Sequence, residues 1–286
     1  MELTTKKHKI LIASPTYNRA WILPYFIDCI KSMDTSHLDV SFVIFNNMSS
    51  DNTKEIIEGA GVGYEYIDTG DLEPYTRTSS GDALNRMRLV REYIRDYAIK
   101  NKFDYTFFCD CDILVQPSTL KTLLAHNVDF VAATISNSGT VNFNRYACNC
   151  MDFKPRKGVY SNPDRWKPHY VCGDGLVEVG GTGAVYLASK ELLKKCSYLD
   201  TPSLYPEEGE DYSFARECMK KGFKQYIDET HRCLHCFEPD ILELYKQQDN
   251  KNQAVKIITQ RAWLNIPVNE KLSNGSGCSY CKKRGR

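Results

Sequence analysis

Two carboxylates lie at a spacing that could bind a cation. Asp110 and Asp112 are two positions apart at the end of an apolar run, DYTFFCD (104–110), which predicts a strand. Residues i and i+2 of an extended segment point to the same side, so the two carboxylates would repel each other unless a cation bridges them. Oxygen ligands of this kind suit Mg²⁺ or Mn²⁺, and such an ion can hold a diphosphate. The alternative is a solvated turn at the end of the strand.

Twelve cysteines include two CxxC pairs that could bind a second kind of metal. Cys233 and Cys236 form one pair, and Cys278 and Cys281 form the other. Together they can supply four thiolates to one structural Zn²⁺. The gap between the pairs is longer than the roughly 15–20 residues of a zinc ribbon. Four unrelated thiols are therefore the alternative.

The first half of the chain alternates apolar strand patterns with amphipathic helix patterns. The predicted strands are HKILIAS (8–14), DVSFVIFN (39–46), VGYEYID (62–68), DYTFFCD (104–110) and VDFVAATIS (128–136). The helical patterns between them include WILPYFIDCIKSM (21–33), GDALNRMRLVREYIRDYAIKNK (81–102) and PSTLKTLLAH (117–126). This order predicts an α/β fold with a mostly parallel sheet covered by helices.

The second half of the chain loses the regular alternation. Residues 137–181 are rich in Asn, Gly, Pro, Tyr and Cys, with short strand-like pieces such as TVNFNRYA and LVEVGG, so we expect antiparallel strands and a mixed sheet. The run EGEDYSFARECMKKG (208–222) predicts a helix, and a strand, FKQYID, follows it. Residues 239–264 form a polar helical pattern, and a Gly/Ser linker and a basic CxxC tail end the chain. We therefore expect one catalytic unit over 1–238, with halves of about 1–136 and 137–238, and an extension over 239–286.

Composition excludes several classes of protein. The 286 residues carry 37 basic and 36 acidic side chains, a net charge of +1, which excludes a chain built around one large basic or acidic field. No apolar run reaches the roughly 18–20 residues that span a bilayer. The start, MELTTKKHKI, lacks the apolar stretch of a signal peptide. We expect a soluble, cytoplasmic protein with no membrane partner.

Five motifs in one order resemble a known family. These are ILIASPTYNRAWILPYFIDCI, VIFNNMSSDNT, TFFCDCDILVQPSTL, VEVGGTGAVYLASKELL and EEGEDYSFARECMKKGFKQYID. The chain resembles a GT-A-fold glycosyltransferase of the broad family-2-like type over about residues 8–236. The resemblance implies a Rossmann-like GT-A sheet, a nucleoside-diphosphate-sugar donor, with UDP-sugars favoured, and Mn²⁺ or Mg²⁺ as cofactor.

The resemblance also implies residue roles on the donor side. The loop with Pro15, Thr16, Asn18 and Arg19 would face the nucleotide, and Asn47 would lie near the base or ribose. Asn46 and Asn47 replace acids that the family usually carries here, which leaves the base of the donor open. Asp110 and Asp112 would hold the ion, with His235 as third ligand, and Arg86 or Arg88 could contact the phosphates. His231 is a competitor for the role of His235, which could instead belong to a zinc site with its neighbouring cysteines.

On the acceptor side, Asp211 matches the family's base position, and Glu210 is its helper or alternative. An inverting transfer needs one carboxylate to take the proton of the attacking hydroxyl group. The alternative is that both acids only favour the positive end of a helix dipole. Gly181 and Gly183 permit close approach of an acceptor, or form a tight turn. Trp166 could stack on a sugar, or belong to the core.

The acceptor and two other functions stay open. A glycan, a protein or a small molecule is one class of acceptor, and a hydroxymethylated pyrimidine in DNA is another, since the helical pattern 81–102 carries Arg86, Arg88, Arg91, Arg95, Lys100 and Lys102. A solvated helix face is the alternative for these residues. A nucleotidyltransferase would also use paired carboxylates, but its glycine-rich loop is missing from SPTYNRAW. The other hypothesis is a zinc-clipped nucleic-acid-binding or scaffold protein. It assigns no role to the acidic pairs Asp110/Asp112 and Glu210/Asp211.

Overall fold

The computed structural model describes residues 7–69, 80–135, 149–152, 167–168, 175–201 and 209–264. The helices are α1 (Leu23–Lys31), α2 (Thr53–Ala60), α3 (Ser80–Lys100), α4 (Thr119–Ala125), α5 (Lys190–Lys195), α6 (Glu210–Lys220), α7 (Pro239–Lys246) and α8 (Lys251–Leu264). The strands are β1 (Lys9–Thr16), β2 (Asp39–Asn47), β3 (Gly63–Ile67), β4 (Tyr105–Cys109), β5 (Ile113–Leu114), β6 (Phe130–Thr134), β7 (Cys150–Asp152), β8 (Lys167–Pro168), β9 (Leu176–Val179), β10 (Gly181–Thr182), β11 (Val185–Ser189), β12 (Gln225–Arg232) and β13 (Leu234–His235).

The main sheet has eight strands in the order β3-β2-β1-β4-β11-β6-β12-β9. Strands β11 and β9 are antiparallel to their neighbours, and the other six strands run in one direction. The predicted α/β class with a mixed, mostly parallel sheet is therefore confirmed. The predicted piece TVNFNRYA falls outside the described residues, whereas LVEVGG contains β9.

Apolar side chains cover both faces of this sheet. Along β1, Ile10 and Ile12 belong to one buried cluster, and Leu11 and Ala13 belong to the other. The first cluster contains side chains of α1, α4, α7 and α8, and the second contains side chains of α3, α5 and α6. A parallel strand buried on both faces is typically apolar at consecutive positions, as it is from Ile10 to Ala13 in β1.

The register of the central strands brings three loops to one edge of the sheet. Strand β1 pairs in parallel with β2 from Lys9 opposite Asp39 to Thr16 opposite Asn46, and with β4 up to Ala13 opposite Phe108. The carboxyl ends of β1, β2 and β4 therefore meet. Ligands of open α/β sheets bind outside this edge.

Strand β11 brings a fourth segment to the same edge because it runs in the opposite direction. Its first residue, Val185, lies opposite Cys109, the last residue of β4. The turn at Gly183 and Ala184 therefore lies beside the carboxyl end of β4, and the Asp110 amide donates to the Ala184 carbonyl at 3.0 Å. Residues about 75 positions apart thus become neighbours at the end of β4.

The helices of the extension pack onto the sheet unit. Ile241 and Tyr245 of α7 and Val255 and Ile258 of α8 lie in the same buried cluster as Ile12. The division of the chain at residue 238 stays a prediction. Within the described residues, no helix is both long and apolar enough to cross a bilayer.

The first testable prediction concerns the edge strand β3. A Cβ atom on Gly63 would lie 2.7 Å from the carbonyl oxygen of Phe42, a backbone atom that can move only with its strand. We expect Gly63→Ala to lower the free energy of unfolding by about 1–3 kcal/mol, the usual cost of overpacking. Urea denaturation measures this change.

Gly59→Ala is the matched control. Gly59 is exposed in the neighbouring helix α2, and no atom lies within 4 Å of its added Cβ. Alanine there should be neutral or stabilise the protein by up to about 1 kcal/mol, because alanine favours a helix over glycine. Equal effects of the two substitutions would contradict the predicted clash.

Candidate functional site

Asp112 lies at the centre of a polar cluster at the carboxyl edge of the sheet. The chain turns immediately after β4, and the Ile113 amide donates to the Asp110 carbonyl at 3.0 Å. Asp112 Oδ2 lies 3.3 Å from Arg19 Nε, in the loop after β1. Asp112 Oδ1 lies 3.6 Å from His235 Nε2. The turn thus gathers one cation and one imidazole around one carboxylate.

A short antiparallel pair of strands places His235. Strand β13 pairs with β5, with His235 opposite Ile113, and the Cys236 amide donates to the Asp112 carbonyl at 2.8 Å. The competing His231 is buried instead, and its Nε2 lies 2.8 Å from Thr119 Oγ1. Of the two histidines, only His235 lies beside Asp112 in the described structure.

Arg91 of α3 forms a second, deeper cluster that the sequence analysis missed. Its Nη2 donates to Asp110 Oδ1 at 2.6 Å, and its Nε lies 3.4 Å from Glu210 Oε1. The side chain is 1% exposed, and the guanidinium carbon lies 5.6 Å from the ring centres of both Phe108 and Tyr186. A sequence signal did exist, since Ile94 and Ala98, three and seven residues later, share this buried helix face.

Burial and charge set the protonation of this deeper cluster. Burial alone would lower the pKa of Arg91, but Asp110 and Glu210 hold it above its ordinary value, so the guanidinium stays charged. Burial raises the pKa of Asp110, Arg91 opposes this rise and Asp112 adds to it. Burial likewise raises the pKa of Glu210 to about 7, against the effect of Arg91. Glu210 therefore titrates near neutral pH.

Asp211 follows Glu210 in the first turn of α6. Its Oδ1 accepts a hydrogen bond from the Tyr212 amide at 2.9 Å, and burial raises the pKa of its carboxyl group. Among the described residues no cation pairs with it. Gly183 lies directly against it, since a Cβ there would be 3.1 Å from Asp211 Cβ and 3.5 Å from Oδ2. A side chain at position 183 would therefore require Asp211 to shift by a few tenths of an ångström.

Two more residues are predicted for the acceptor side, and the structure describes Gly181 but not Trp166. Gly181 is buried in β10 and pairs with Met151 of β7. Its contact with an acceptor stays a prediction. Trp166, Cys278 and Cys281 lie outside the described residues.

The loops after β1 and β2, which carry residues predicted for the donor side, are joined by hydrogen bonds. The Asn18 amide donates to Ser49 Oγ at 2.9 Å, and Asn18 Oδ1 accepts from the Ser50 amide at 2.8 Å. Asn18, Met48 and Ala184 have positive φ angles of 50°, 54° and 70°. Residues other than glycine rarely adopt this backbone conformation, although His37, Lys102 and Asn127 in the loops before β2, β4 and β6 adopt it too.

The remaining donor-side residues are more enclosed. Pro15 and Thr16 end β1, and buried Thr16 accepts a hydrogen bond from the Cys111 thiol at 3.2 Å. Asn47 Oδ1 accepts from Thr69 Oγ1 at 2.9 Å. Contacts of these residues with a nucleotide stay predictions.

The basic residues of α3 do not form a stripe facing solvent. Arg88 donates through Nε and Nη2 to the Tyr198 carbonyl, at 3.1 and 3.0 Å, and through Nη2 to the Thr201 carbonyl at 3.0 Å. Arg95 Nε donates to the Leu193 carbonyl at 2.6 Å. Arg86 is half-buried on the same helix. Arg88, Arg91 and Arg95 point inward. Their contacts therefore agree with neither interpretation of this pattern, a phosphate-binding face or a solvated face.

Cys233 and Cys236 lie in the apolar core. Burial raises the pKa of both thiols, that of Cys233 to about 12. Within the described ranges, no group of three His, Cys, Asp or Glu side chains is arranged to hold a metal by itself. The structural Zn²⁺ shared with the second CxxC pair stays a prediction.

The residues around Asp112 nevertheless fit a hard divalent cation. At 3.6 Å, Asp112 and His235 are too far apart for a hydrogen bond, and buried His235 Nδ1 has no hydrogen-bond partner among the described residues. The four carboxylates of Asp110, Asp112, Glu210 and Asp211 outnumber the two arginines that pair with them. Carboxylate and imidazole ligands together suit Mn²⁺ or Mg²⁺, provided that a bound diphosphate completes the ligand set.

Comparison with known proteins gives structural similarity at low sequence identity. No protein-family model and no curated protein matches the chain. A glucosyl-3-phosphoglycerate synthase from Mycobacterium tuberculosis, in complex with Mn²⁺, UDP and glucosyl-3-phosphoglycerate, is similar at 15% identity and a TM-score of 0.38. The match covers 66% of this chain and 59% of the synthase, so the chain spans about three fifths of the synthase's length.

Two further structures cover more of the chain. S. aureus TarS 1–349 in complex with UDP-GlcNAc is 14% identical with a TM-score of 0.49, covering 89% of this chain and 71% of TarS. A mycobacterial protein is 15% identical with a TM-score of 0.45, covering 90% of this chain and 74% of that protein.

The second testable prediction concerns Asp51, which joins the two donor-side loops. Its Oδ2 accepts from the Ala20 amide at 3.0 Å and its Oδ1 from the Thr53 amide at 3.1 Å. Burial alone would raise its pKa, but the hydrogen bonds from Thr53 and Ala20 hold the pKa below its ordinary value. We expect Asp51→Ala to cost about 1–3 kcal/mol of unfolding free energy at pH 7, because charged hydrogen bonds are lost.

The pH dependence of this cost has a defined sign. A lowered pKa in the folded state stabilises the protein above the unfolded pKa of about 3.9, and the stabilisation is lost as the pH falls through the folded value. Urea denaturation from pH 7 to pH 3 should show the wild type and Asp51→Ala converging below about pH 4. The exposed Asp39 gives the control variant Asp39→Ala. A difference that stays constant down to pH 3 would exclude the carboxylate as its source.

Proposed function

We propose that this protein is a metal-dependent glycosyltransferase, which moves a sugar from a nucleoside-diphosphate sugar to a hydroxyl acceptor. The proposal rests on one observation. Asp112, with Arg19 and His235 beside it, shares an edge of the sheet with Glu210 and Asp211. Glycosyl transfer needs both kinds of group at once, positive charge for the leaving diphosphate and a base for the acceptor.

The donor binds in this proposal at the loops after β1, β2 and β4. Asp112, His235 and, more deeply, Asp110 would hold Mn²⁺ or Mg²⁺. A bound divalent ion supplies positive charge that stabilises the leaving diphosphate. Arg19, whose side chain is 41% exposed, is free to turn from Asp112 towards phosphate oxygens. A UDP-sugar is the first donor to test.

Asp211 is the proposed general base. It has no arginine partner among the described residues, whereas Arg91 already engages Glu210. Its raised pKa improves it as a proton acceptor for a hydroxyl group. In an inverting transfer, the Asp211 carboxylate takes the proton of the acceptor while the acceptor oxygen forms a bond to the anomeric carbon and the bond to the diphosphate breaks. Glu210 is the alternative base.

The acceptor in this proposal is a glycan, a protein or a small molecule. The inward contacts of Arg88, Arg91 and Arg95 engage three of the six basic residues of the pattern 81–102 that would have favoured a nucleic-acid backbone. A hydroxymethylated pyrimidine in DNA is a second acceptor class for the same chemistry. It would draw its phosphate contacts from elsewhere in the chain.

A thermal-shift screen of nucleoside-diphosphate sugars tests the proposal directly. Each donor is added with Mn²⁺ and, separately, with a chelator, because a ligand that binds the native state raises the melting temperature by mass action. A shift with one donor that requires Mn²⁺ supports the proposal and identifies the donor. A shift with free nucleoside triphosphates, but with no sugar donor, would instead favour a nucleotidyltransferase.

The third testable prediction tests the proposed cation ligand. Asp112→Ala should abolish the Mn²⁺-dependent part of donor binding, because it removes the carboxylate beside His235. Calorimetric titration with donor, at saturating Mn²⁺ and in chelator, measures this part. The control variant is Asp39→Ala, because Asp39 is exposed. Asp228→Ala would not serve as a control, since Asp228 pairs with His126. Unchanged Mn²⁺ dependence in Asp112→Ala would reject Asp112 as a ligand.

The fourth testable prediction concerns the base. Asp211→Asn keeps the shape of the side chain beside Gly183 but cannot accept a proton, so donor binding should be retained while turnover falls by about 10²–10⁴-fold. Single-turnover transfer and donor titration separate the two effects. Near-normal turnover would move the role to Glu210, and Glu210→Gln is the variant to compare.

A further inference from the structure

We infer that Arg91 is a positioning residue, which sets the place of the base-bearing first turn of α6 relative to the Asp110 end of β4. The inference rests on the proposed function. It assigns a role to a side chain that touches neither solvent nor substrate. Arg91 acts through Asp110 on one side and through Glu210, next to Asp211, on the other.

The contacts of Arg91 join two distant parts of the chain. Asp110 is 19 positions away and Glu210 is 119 positions away. One planar guanidinium engages both, through Nη2 at 2.6 Å and Nε at 3.4 Å. Because the geometry of a guanidinium is rigid, the separation of the two carboxylates is set by the positions of its nitrogens. A lysine ammonium group has three N–H donors on one freely rotating nitrogen, so it could bind both carboxylates but would not fix their separation.

The surroundings of Arg91 separate its side chain from solvent. Its side chain is 1% exposed, with the rings of Phe108 and Tyr186 each 5.6 Å from the guanidinium carbon. It therefore cannot contact a donor phosphate directly. Its Nη1 is buried without a hydrogen-bond partner among the described residues. A buried charge with an unused donor contributes little to the stability of the folded state, because apolar side chains of similar volume often give a more stable protein.

The first turn of α6 depends on this contact. The helix begins after Gly209, which provides no side-chain cap, and Arg91 is the only described cation that engages Glu210. Further along α6, Thr201 Oγ1 donates to Glu217 Oε2 at 2.6 Å and anchors the helix independently. Loss of the Arg91 contact should therefore loosen the first turn and displace Asp211 while the rest of the helix stays in place.

The fifth testable prediction compares Arg91→Lys with a matched variant of the same helix. Arg95 lies one turn away and is 15% exposed, and it binds the Leu193 and Cys196 carbonyls and Glu92 instead of the carboxylates of the site. Arg95→Lys thus removes an inward arginine of α3 without touching the cluster. UDP-glucose and UDP-N-acetylglucosamine with Mn²⁺ are the probes. Their affinity is measured by calorimetry, and their turnover is measured as release of UDP with water as the acceptor.

We expect Arg91→Lys to retain Mn²⁺-dependent donor affinity while kcat for UDP release falls by about 10²-fold, the scale of a misplacement of about 1 Å. Hydrogen exchange of the Phe214 and Ala215 amides, which bond to the first-turn carbonyls in an α-helix, should become faster in Arg91→Lys. Arg95→Lys should show neither change. Combining Arg91→Lys with Glu210→Gln should cost less than the sum of the two losses, because Arg91 acts through Glu210.

Three outcomes would overturn the inference. A wild-type kcat in Arg91→Lys would exclude a positioning role, and so would a loss of donor affinity as large as the loss of kcat. An equal loss of kcat in Arg95→Lys would reduce Arg91 to a general structural role. The proposed function fails separately, when the wild-type protein itself shows no Mn²⁺-dependent binding of any sugar donor and no release of UDP.

Discussion

Charge balance at the carboxyl edge of the sheet constrains the rest of the structure. Four carboxylates gather there, and poorly hydrated carboxylates raise one another's pKa unless a cation lies between them. Arg91 supplies such a cation from the core and Arg19 supplies one from the loops. The negative charge that these two arginines leave uncompensated is the property on which the proposed binding of a divalent ion and a diphosphate depends.

The fold accommodates this charge because its centre is apolar on both faces. Strand β1 and its neighbours are buried on either side where the loops leave the sheet. Asn18, Met48 and Ala184 in these loops adopt left-handed backbone conformations, each of which costs of order 1 kcal/mol. A Cβ at Gly183 would lie only 3.1 Å from Asp211 Cβ, so the first turn of α6 and the end of β4 share one small volume.

Much of the sheet was predictable because its determinants are local. Unbroken apolar runs identify strands that are buried on both faces, and the alternation with helices implies parallel order. The same local reasoning placed Asp110 and Asp112 at the end of a strand. It did not by itself separate His231 from His235, four positions further on, and the family resemblance was what implied His235. The pairing of β13 with β5 brings only His235 to Asp112, and that pairing joins residues more than 100 positions apart.

Arg91 shows the difference between what the sequence determines and what only the tertiary structure determines. By itself, the sequence determined that the chain forms helix-covered parallel strands, that two carboxylates follow β4, and that two more begin a helix. Helical periodicity could also have indicated that Arg91 faces inward with Ile94 and Ala98. Only the tertiary structure decided what it meets there, because the antiparallel insertion of β11 and the docking of α6 bring Glu210, 119 positions away, to the end of β4. Local patterns determine which side of an element is buried, whereas the partner of a buried charge is determined by contacts that exist only once the chain has folded.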